Sequence, residues 1–337
     1  MKTYAALGKE FSYSKRQIAN LADMTMALSK SRHIHYGRIA ENLNKNTFYH
    51  SKVRSVERFF SNHPINQIDS ARYILRKIPQ NKKLTLIIDR SNWKRGKRII
   101  NLLMLSVLDP KTKTALPLLW MNLDHSGNSS MKKRIELMDM LLKVLPKNRI
   151  EVLLGDREFI GKNWLEFLEQ NEINFVFRIR KNIYLDEIKA SDWFEDLKEG
   201  KIIEIIHEVK MCECYVYVCA TLSSGGDKVI VSSSIKNKNL LKIYKDRFEI
   251  ECMFKNMKSS GFNLESTGIK KPEYLDRLIC LLAILFLWVV EIGKNEKTTV
   301  KSHGRLEESV FRIGMRIFLD ILRRLRFDLI CKIISTA

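Results

Sequence analysis

The sequence predicts an α/β fold, with helices at the N-terminus, a mixed sheet in the middle and further helices at the C-terminus. Three observations support this prediction. Apolar residues before residue 80 recur at helical spacing, continuous apolar runs of strand length begin at Leu84, and from residue 130 such runs alternate with amphipathic stretches. Of the 337 residues 45% are hydrophobic, the ordinary share for a globular protein. The chain is therefore long enough for a sheet-containing core and one or two smaller units.

The N-terminal segment is basic. Residues 1–83 contain 16 Lys or Arg against 5 Asp or Glu, and the pattern predicts two helices, at 36–43 and 49–62, joined by polar residues. Helix pairs of this kind also occur in proteins that never touch DNA. The charge favours a helix-turn-helix-like DNA-binding domain at 1–80, whose second helix enters the major groove. The candidate DNA contacts on that helix are Lys52, Arg54 and Arg58.

The formal net charge of the whole chain is +21. Such an excess indicates a polyanionic partner, either nucleic acid or an anionic membrane surface. The longest apolar run, 278–290, has 13 residues, fewer than the roughly 18–20 that span a bilayer, and it is expected to form a buried helix. Nucleic acid is therefore the favoured partner. The six cysteines form no CxxC pair, which favours core thiols in a reducing cytoplasm over a zinc site.

The middle of the chain carries a regular succession of strands and helices. Three apolar runs predict an antiparallel meander buried on both faces, and helices then alternate with two further strands. The predicted strands are 84–90, 98–109, 114–124, 150–156 and 174–180, and the predicted helices are 130–145 and 161–171. A β-β-β-α-β-α-β order is what a ribonuclease-H-like sheet requires, with one more helix to complete its covering layer.

An insertion precedes that helix. Residues 181–237 alternate polar and apolar positions around a Gly-Gly turn, which predicts a small β insertion. One helix is expected at 239–260, a buried helix at 275–293 and an amphipathic helix at 306–325. The predicted domains are the DNA-binding domain at 1–80, the core with its insertion at 81–293, and a helical region at 294–337 that is a candidate for dimerisation.

Two aspartates end strands of the predicted sheet. Asp89 follows the first strand and Asp156 the fourth, and in this topology the carboxyl ends of those strands are neighbours, where α/β sheets bind ligands. A lone Asp after a strand is more often a turn former, and Asp109 and Asp124 also end strands and stay as alternatives. Together with a third acid on a later helix, two carboxylates can hold two divalent ions, for which hard oxygen ligands select Mg²⁺ or Mn²⁺.

The helix predicted at 239–260 places Tyr244, Arg247, Glu251 and Lys258 on one stripe, since all four fall within about 60° at about 100° per residue. Its apolar flank would pack on the sheet and hold Glu251 opposite the two aspartates. The stripe has a plain alternative interpretation, namely a solvated charged face with i,i+4 pairs. The seven histidines are scattered without metal-ligand spacing, so two-metal attack on a phosphodiester, which needs no protein nucleophile, suits the acids better.

These residues carry a resemblance to a known family. The chain resembles the DDE transposases of the insertion sequence four family, whose signature Y-x2-R-x3-E-x6-K is matched without a gap by Tyr244, Arg247, Glu251 and Lys258. The surroundings IIDRSNW of Asp89 and GDREF of Asp156, and the residues 126–129, also resemble the family, over roughly residues 30 to 290.

The resemblance implies metal-dependent cleavage at the ends of a mobile element and attack of the freed 3′-hydroxyls on target DNA, commonly through a hairpin intermediate. It implies that Asp89, Asp156 and Glu251 hold two Mg²⁺ or Mn²⁺ ions. The implied DNA contacts are Tyr244, Arg247, Lys258 and Arg157, with Trp193 as the candidate for stacking on a flipped base. The implied partners are the terminal inverted repeats, target DNA and a second copy of the chain, in a cytoplasmic protein associated with the bacterial nucleoid.

Two alternatives stay open. The first is a nuclease or resolvase with the same fold that cuts DNA without strand transfer. The second is a catalytically inactive, element-derived DNA-binding protein, against which the presence of all three acids argues.

Overall fold

The structure is a computed structural model that describes residues 2–31, 33–96, 98–123, 125–223, 225–296, 298–299 and 306–324. Asp124, Cys331 and the last residue of the helix expected at 306–325 lie outside the described residues.

Helices form the N-terminal part of the chain. They are α1 (Lys2–Gly8), α2 (Lys15–Ser31), α3 (Tyr36–Glu41), α4 (Tyr49–Asn62) and α5 (Gln67–Arg76). The two helices predicted from the sequence correspond to α3 and α4. Helix α4 buries Val56, Phe59 and Phe60 and exposes Arg54 and Arg58, so its basic face is free of the core. The DNA-binding role of this part stays a prediction.

A mixed sheet forms the centre of the molecule. The strands β1 (Leu84–Arg95), β2 (Arg98–Leu108) and β3 (Ala115–Leu123) pair antiparallel, while β4 (Ile150–Gly155) and β5 (Phe175–Ile179) run parallel to β1. Helices α6 (Met131–Leu142) and α7 (Lys162–Gln170) connect β3, β4 and β5. The spatial order β3-β2-β1-β4-β5 is that of a ribonuclease-H-like sheet, so the predicted succession of elements is confirmed.

Part of the insertion extends the same sheet, and two of its short strands pair only with each other. Elements β6 (Tyr184–Leu185), β7 (Ile188–Lys189), α8 (Ala190–Trp193), β8 (Ile202–Glu204), β9 (Val209–Met211), β10 (Cys214–Leu222) and β11 (Lys228–Ser233) follow β5. Strand β11 pairs antiparallel with β5, and the order continues through β10 to β8. The insertion therefore widens the sheet at its β5 edge.

The single helix expected at 239–260 is interrupted, which corrects that prediction. The structure has α9 (Leu240–Lys245), α10 (Phe248–Lys255) and a π-helical turn at Asn256–Ser260. Between the helices the backbone tightens to i→i−3 bonds, with Arg247 N–H donating to Tyr244 O at 3.0 Å. Because a tight turn and a π turn shift the helical phase in opposite senses, the uniform count of about 100° per residue does not describe this segment.

A buried helix joins the N-terminal helices to the sheet. Helix α11 (Pro272–Gly293) buries every residue of the apolar run 278–290, as predicted. Its Trp288 Nε1 donates to the Tyr73 hydroxyl at 2.9 Å, and Asp276 accepts from Trp120 Nε1 at 2.9 Å. Helix α12 (Val310–Arg323) packs against α11. Among the described residues no helix is long and apolar enough to span a bilayer.

Candidate active site

The parallel pairing of β1 and β4 brings the two predicted aspartates together. Ile88 of β1 pairs with Gly155 of β4, so the next residues are Asp89, which lies within β1, and Asp156, which follows β4 directly. The first strand was predicted to end at Asp89 and continues instead to Arg95. Only glycine fits at position 155, because Phe159 and Phe177 lie 3.0 Å from the position that a Cβ atom would occupy. The register and this close packing place both carboxylates at the same edge of the sheet.

Helix α10 brings the third acid to the same place. Arg247 Nη1 lies 2.8 Å from Asp89 Oδ2, and Arg247 Nη2 donates to the carboxylate of Glu251, which is four residues further along. The apolar flank of the segment, Ile250, Met253, Phe254 and Met257, is buried as predicted. This packing holds Glu251 and Arg247 over the edge of the sheet that carries Asp89.

The surroundings of Asp89 change the pKa of its carboxyl group. Its side chain is 18% exposed, and burial raises its pKa to about 6 despite the opposing effects of Arg247 and of the Arg90 N–H, which donates to Asp89 Oδ1 at 2.7 Å. The carboxylates of Asp156 and Glu251 raise the pKa further. Because the charges of two neighbouring carboxylates raise its pKa, Asp89 belongs to an acidic cluster.

The other residues of the signature surround this cluster. The Tyr244 hydroxyl lies 3.5 Å from Asp156 Oδ1, and burial raises the pKa of Tyr244 to about 12, which keeps it a hydrogen-bond donor. Lys258, in the π-helical turn, donates to Asn92 O at 3.0 Å and pairs with Glu265 at 3.0 Å. Its ammonium group also lies 5.7 Å from the centre of the Trp93 ring. Both side chains therefore lie at the rim of the acidic cluster.

Comparison with known proteins identifies the family of the chain. The family model described as "Transposase DDE domain" matches residues 76–288, more than half of the chain. The chain belongs to the transposase DDE domain family. The resemblance inferred from the four-residue signature is thereby confirmed at the level of the family. Among curated proteins no match is found.

Three of the solved structures that are similar to this DDE protein are distant likenesses. A synaptic complex of the piggyBac transposase with hairpin DNA is 13% identical, with 99% of this chain and 80% of that chain covered at a TM-score of 0.49. Endonuclease V from Bacillus subtilis is 11% identical, with 72% of this chain and 94% of that chain covered at a TM-score of 0.29. The NurA nuclease from Sulfolobus solfataricus is 11% identical, with 59% of this chain and 82% of that chain covered at a TM-score of 0.28. Likenesses this weak carry no functional information.

The cleft of the DDE domain has the donor chemistry of a divalent-metal site. It encloses about 480 Å³, and its lining includes Asp89, Asp156, Glu251, Arg247 and Lys258. Three carboxylates supply the hard oxygen ligands that Mg²⁺ and Mn²⁺ prefer. In the arrangement described, no three acidic, His or Cys side chains of the described residues are grouped closely enough to hold an ion. The Arg247 guanidinium bonds to two of the acids, so the donors suit a metal once Arg247 releases them.

The remaining predicted DNA contacts lie outside this cleft. Arg157 is exposed beside Asp156. Trp193 is half-buried in α8, and its Nε1 donates to Leu185 O at 2.9 Å. On α4, Arg54 and Arg58 are exposed, while Lys52 Nζ donates to Leu43 O at 3.1 Å. The structure thus groups the acids with Tyr244, Arg247 and Lys258 and leaves the other candidates on separate surfaces.

The alternative acid Asp109 is structural. It is 1% exposed, accepts from the backbone N–H of Thr112 at 2.8 Å and pairs with Lys294 at 2.6 Å. It follows β2, which runs antiparallel to β1, so it lies at the opposite edge of the sheet from Asp89. It is a turn former and takes no part in the acidic cluster.

Sequence reasoning missed two residues next to the aspartates. Arg90 Nε lies 2.6 Å from Glu158 Oε2, and the two side chains are 15% and 12% exposed. The available signal was position: Arg90 directly follows Asp89, and Glu158 follows Asp156 by two residues. A pairing of residues 68 positions apart is not visible in either motif alone.

Proposed function

We propose that this DDE transposase cleaves DNA at the ends of an insertion sequence and transfers the freed 3′ ends to target DNA, with Mg²⁺ or Mn²⁺ as cofactor. The observation that carries the proposal is that Asp89 and Asp156 directly follow the last residue pair between β1 and β4, with Glu251 joined to Asp89 through Arg247. Three acids from two strands and one helix converge on one open cleft.

The side chains divide into two groups. Asp89, Asp156 and Glu251 are the proposed ligands of two divalent ions. When bound, such ions activate a water or a 3′-hydroxyl and stabilise the leaving oxygen in an in-line displacement at phosphorus. Arg247 and Lys258 offer charged donors to phosphate oxygens. They position the DNA without reading its sequence.

Tyr244 complements the charged donors. Its raised pKa keeps the hydroxyl protonated at neutral pH. The Tyr244 hydroxyl, which points to Asp156 in the structure, can therefore donate a hydrogen bond to a phosphate oxygen. The exposed arginines of α4 are proposed to bind the DNA further from the cleavage site. Joining two element ends requires two copies of the chain on the DNA, and the reaction is proposed to pass through a hairpin intermediate.

The experiment uses the purified 337-residue protein, Mn²⁺ and a labelled duplex that carries an inverted repeat identified by searching the DNA on both sides of the gene. We expect nicking at the end of the repeat, followed by hairpin and strand-joined products. The Asp89→Asn variant is the matched negative control and should give neither. Hydrolysis without hairpin or joined products would overturn the transfer step in favour of a nuclease or resolvase. Binding without any metal-dependent cleavage would indicate an inactive DNA-binding protein.

A further inference from the structure

A connected set of polar side chains lies behind the two aspartates. It is called here the Arg90–Glu158 network and consists of Arg90, Asn101, Asn128, Ser129, Arg134 and Glu158. The side chains of Arg90, Glu158 and Arg134 are 15%, 12% and 7% exposed. Charged groups this well buried need several hydrogen-bond or ion-pair partners to offset the loss of hydration. Each of these three side chains has several such partners.

Arg90 connects three separate segments of the chain. Its Nε lies 2.6 Å from Glu158 Oε2, its Nη1 3.2 Å from Asn101 Oδ1 on β2, and its Nη2 3.1 Å from Asn128 Oδ1 before α6. Asn101 in turn donates to His125 O at 2.8 Å and to Gly127 O at 3.1 Å. The planar fork of an arginine suits such multiple recognition, and a lysine cannot reproduce it.

Glu158 is held from the opposite side. Its Oε1 accepts from the Ser129 hydroxyl at 2.8 Å and from the Ser129 N–H at 3.2 Å. Arg134, at the start of α6, donates to the Ser129 hydroxyl and carbonyl oxygens, both at 2.9 Å, and lies 3.9 Å from Glu158. The carboxylate of Glu158 therefore lies between two guanidinium groups.

The network ends on the backbone that carries the two acids. The Arg90 N–H donates to Asp89 Oδ1 at 2.7 Å, so anchoring the side chain of Arg90 also fixes the group that orients Asp89. Glu158 lies in the turn after β4, which is closed by a bond of 2.9 Å from Phe159 N to Asp156 O. The ion pair between Arg90 and Glu158 thus ties the backbone beside Asp89 to the turn that carries Asp156.

We infer that Arg90 and Glu158 are positioning residues that set the separation of Asp89 and Asp156 and thereby the affinity of the cleft for a divalent metal. This inference rests on the proposed function, since it takes the two aspartates as metal ligands. Both residues act through the two aspartates, and Arg90 also lines the cleft. Supporting groups around a metal site typically change metal affinity by about 10- to 100-fold when they are removed.

The test compares Glu158→Gln and Arg90→Lys with a matched control, Glu291→Gln. Glu291 is also a well-buried glutamate, 13% exposed, whose partner is a lysine, Lys294, and Lys294 pairs with Asp109 at the other edge of the sheet. For each protein the dissociation constant of Mn²⁺ is measured by calorimetry without DNA, and the melting temperature is measured without metal. We expect both network variants to bind Mn²⁺ at least about 10-fold more weakly, while the control melts lower but binds Mn²⁺ within about twofold of wild type.

A third variant covers the case in which a buried change prevents folding. Asn128 is exposed, so Asn128→Ala should fold and should weaken Mn²⁺ binding by a smaller factor than Arg90→Lys. Mn²⁺ affinities within twofold of wild type in every folded network variant would overturn the inference, as would absence of Mn²⁺ binding by wild type. DNA cleavage by wild type is scored separately and tests the proposed function. A wild type that binds Mn²⁺ but cleaves nothing would overturn that function, while the Mn²⁺ affinities would still decide the inference.

Discussion

Arg247 donates a hydrogen bond of 2.8 Å from Nη1 to Oδ2 of Asp89, a residue that precedes it by 158 positions. Its other terminal nitrogen bonds to Glu251, so one guanidinium joins two of the three acids of the DDE domain. Without a cation between them these carboxylates would repel one another. Arg247 therefore supplies the counter-charge of these carboxylates, and under the proposed function it would have to release them for a metal to bind.

Replacement of Arg247 by alanine should destabilise the metal-free protein and increase the stabilisation by Mn²⁺. The pKa of Asp89 should rise further, because Arg247 opposes the effects of burial and of the other acids. We expect a loss of about 2 kcal/mol without metal, less than for a fully buried pair because Glu251 is partly exposed. Melting temperatures with and without Mn²⁺ measure both effects.

The control for this change is Lys113→Ala. Lys113 pairs with Asp246, the residue before Arg247, at 3.0 Å on the surface, outside the cleft. Its loss should leave the Mn²⁺-induced shift of the melting temperature as in wild type. If Arg247→Ala gives a shift equal to or smaller than that of wild type, Arg247 does not compete with the metal.

Glu251→Gln should abolish cleavage and spare DNA binding. The amide keeps the shape of the side chain but loses the charge that a divalent ion requires, so we expect cleavage to fall more than about 100-fold. Affinity for the duplex should stay within a few-fold, since a positive surface gains from the loss of a nearby carboxylate. Gel-shift and single-turnover cleavage assays on one protein preparation check both expectations.

Glu249→Gln provides the matched comparison on the same helix. Glu249 lies two residues before Glu251 and lines the groove between α10 and α12, away from Asp89 and Asp156. Its replacement should leave cleavage unchanged. An equal loss in both variants, or loss of folding in Glu251→Gln alone, would return Glu251 to a structural role.

The sequence predicted the sheet and the position of its acids because both depend on local pattern. Continuous apolar runs identify buried strands, and an acid after such a run marks where the fully apolar part of the strand stops. The predicted strand end at Asp89 was wrong, because β1 continues to Arg95, and Asp89 lies within β1 just beyond its last pair with β4. The four-residue signature added Arg247 and Lys258. It carried no information on their partners, and Lys258 bonds to the backbone of β1 at Asn92, a contact made only in the folded chain.

Two kinds of feature were beyond local pattern. The break in the helix at Arg247 comes from i→i−3 hydrogen bonds. An α-helix and a turn with i→i−3 bonds space their apolar residues alike to within one residue, so the sequence does not distinguish them. The pairing of Arg90 with Glu158 depends on the register of β1 against β4. Neither a propensity nor a period of the sequence encodes such a register between distant segments.

The basic face of α4 should contribute to DNA binding through phosphate contacts. The double variant Arg54→Ala, Arg58→Ala removes two exposed cations. We expect the slope of log K against log salt to decrease in magnitude by about 2, with similar loss on specific and random duplexes. Fluorescence anisotropy at several salt concentrations measures this slope.

A double variant of two other exposed lysines controls for net charge. Lys143 and Lys147 lie at the end of α6 and just before β4, at the opposite edge of the sheet from Asp156. Replacing both with alanine lowers the net charge by the same amount and should change the slope by less than half as much. Equal slopes in the two double variants would refute α4 as a DNA-binding face.

His63 should make the stability of the protein depend on pH. Its Nδ1 accepts from the Ile65 N–H at 3.1 Å and its Nε2 donates to Gln17 O at 3.0 Å, so the neutral ring satisfies both contacts. Burial lowers its pKa from 6.5, assisted by Arg277. As pH falls below about 6.5 the unfolded chain takes up the proton first, and the free energy of unfolding should fall by up to about 1.4 kcal/mol per pH unit.

Urea denaturation at pH 7.5, 6.5 and 5.5, compared between wild type and His63→Gln, isolates this contribution. The glutamine variant should be less stable at pH 7.5 and lose less stability on acidification, because the other titrating groups are common to both proteins. An identical decrease with pH in the two proteins would show that His63 is not the group responsible.

The crossing of α11 and α12 should depend on Gly314. A Cβ at this position would lie 1.9 Å from the carbonyl oxygen of Val289 and 3.0 Å from the backbone nitrogen of Gly293. Both neighbours are backbone atoms of a buried helix, so they cannot move aside without shifting α11. Gly314→Ala should therefore cost about 1–3 kcal/mol by overpacking, measured by urea denaturation.

This prediction opposes the intrinsic preference of the residue, which makes its sign informative. In an unconstrained helix the change from Gly to Ala gains about 1 kcal/mol, so a stabilised Gly314→Ala variant would show that the two helices are not in close contact. Gly268→Ala is the matched control, since no atom lies within 4 Å of its Cβ position, and it should change stability little. Because α12 also lines one side of the groove beside α10, a displaced α12 in Gly314→Ala should expose that groove to proteolysis before the sheet unfolds.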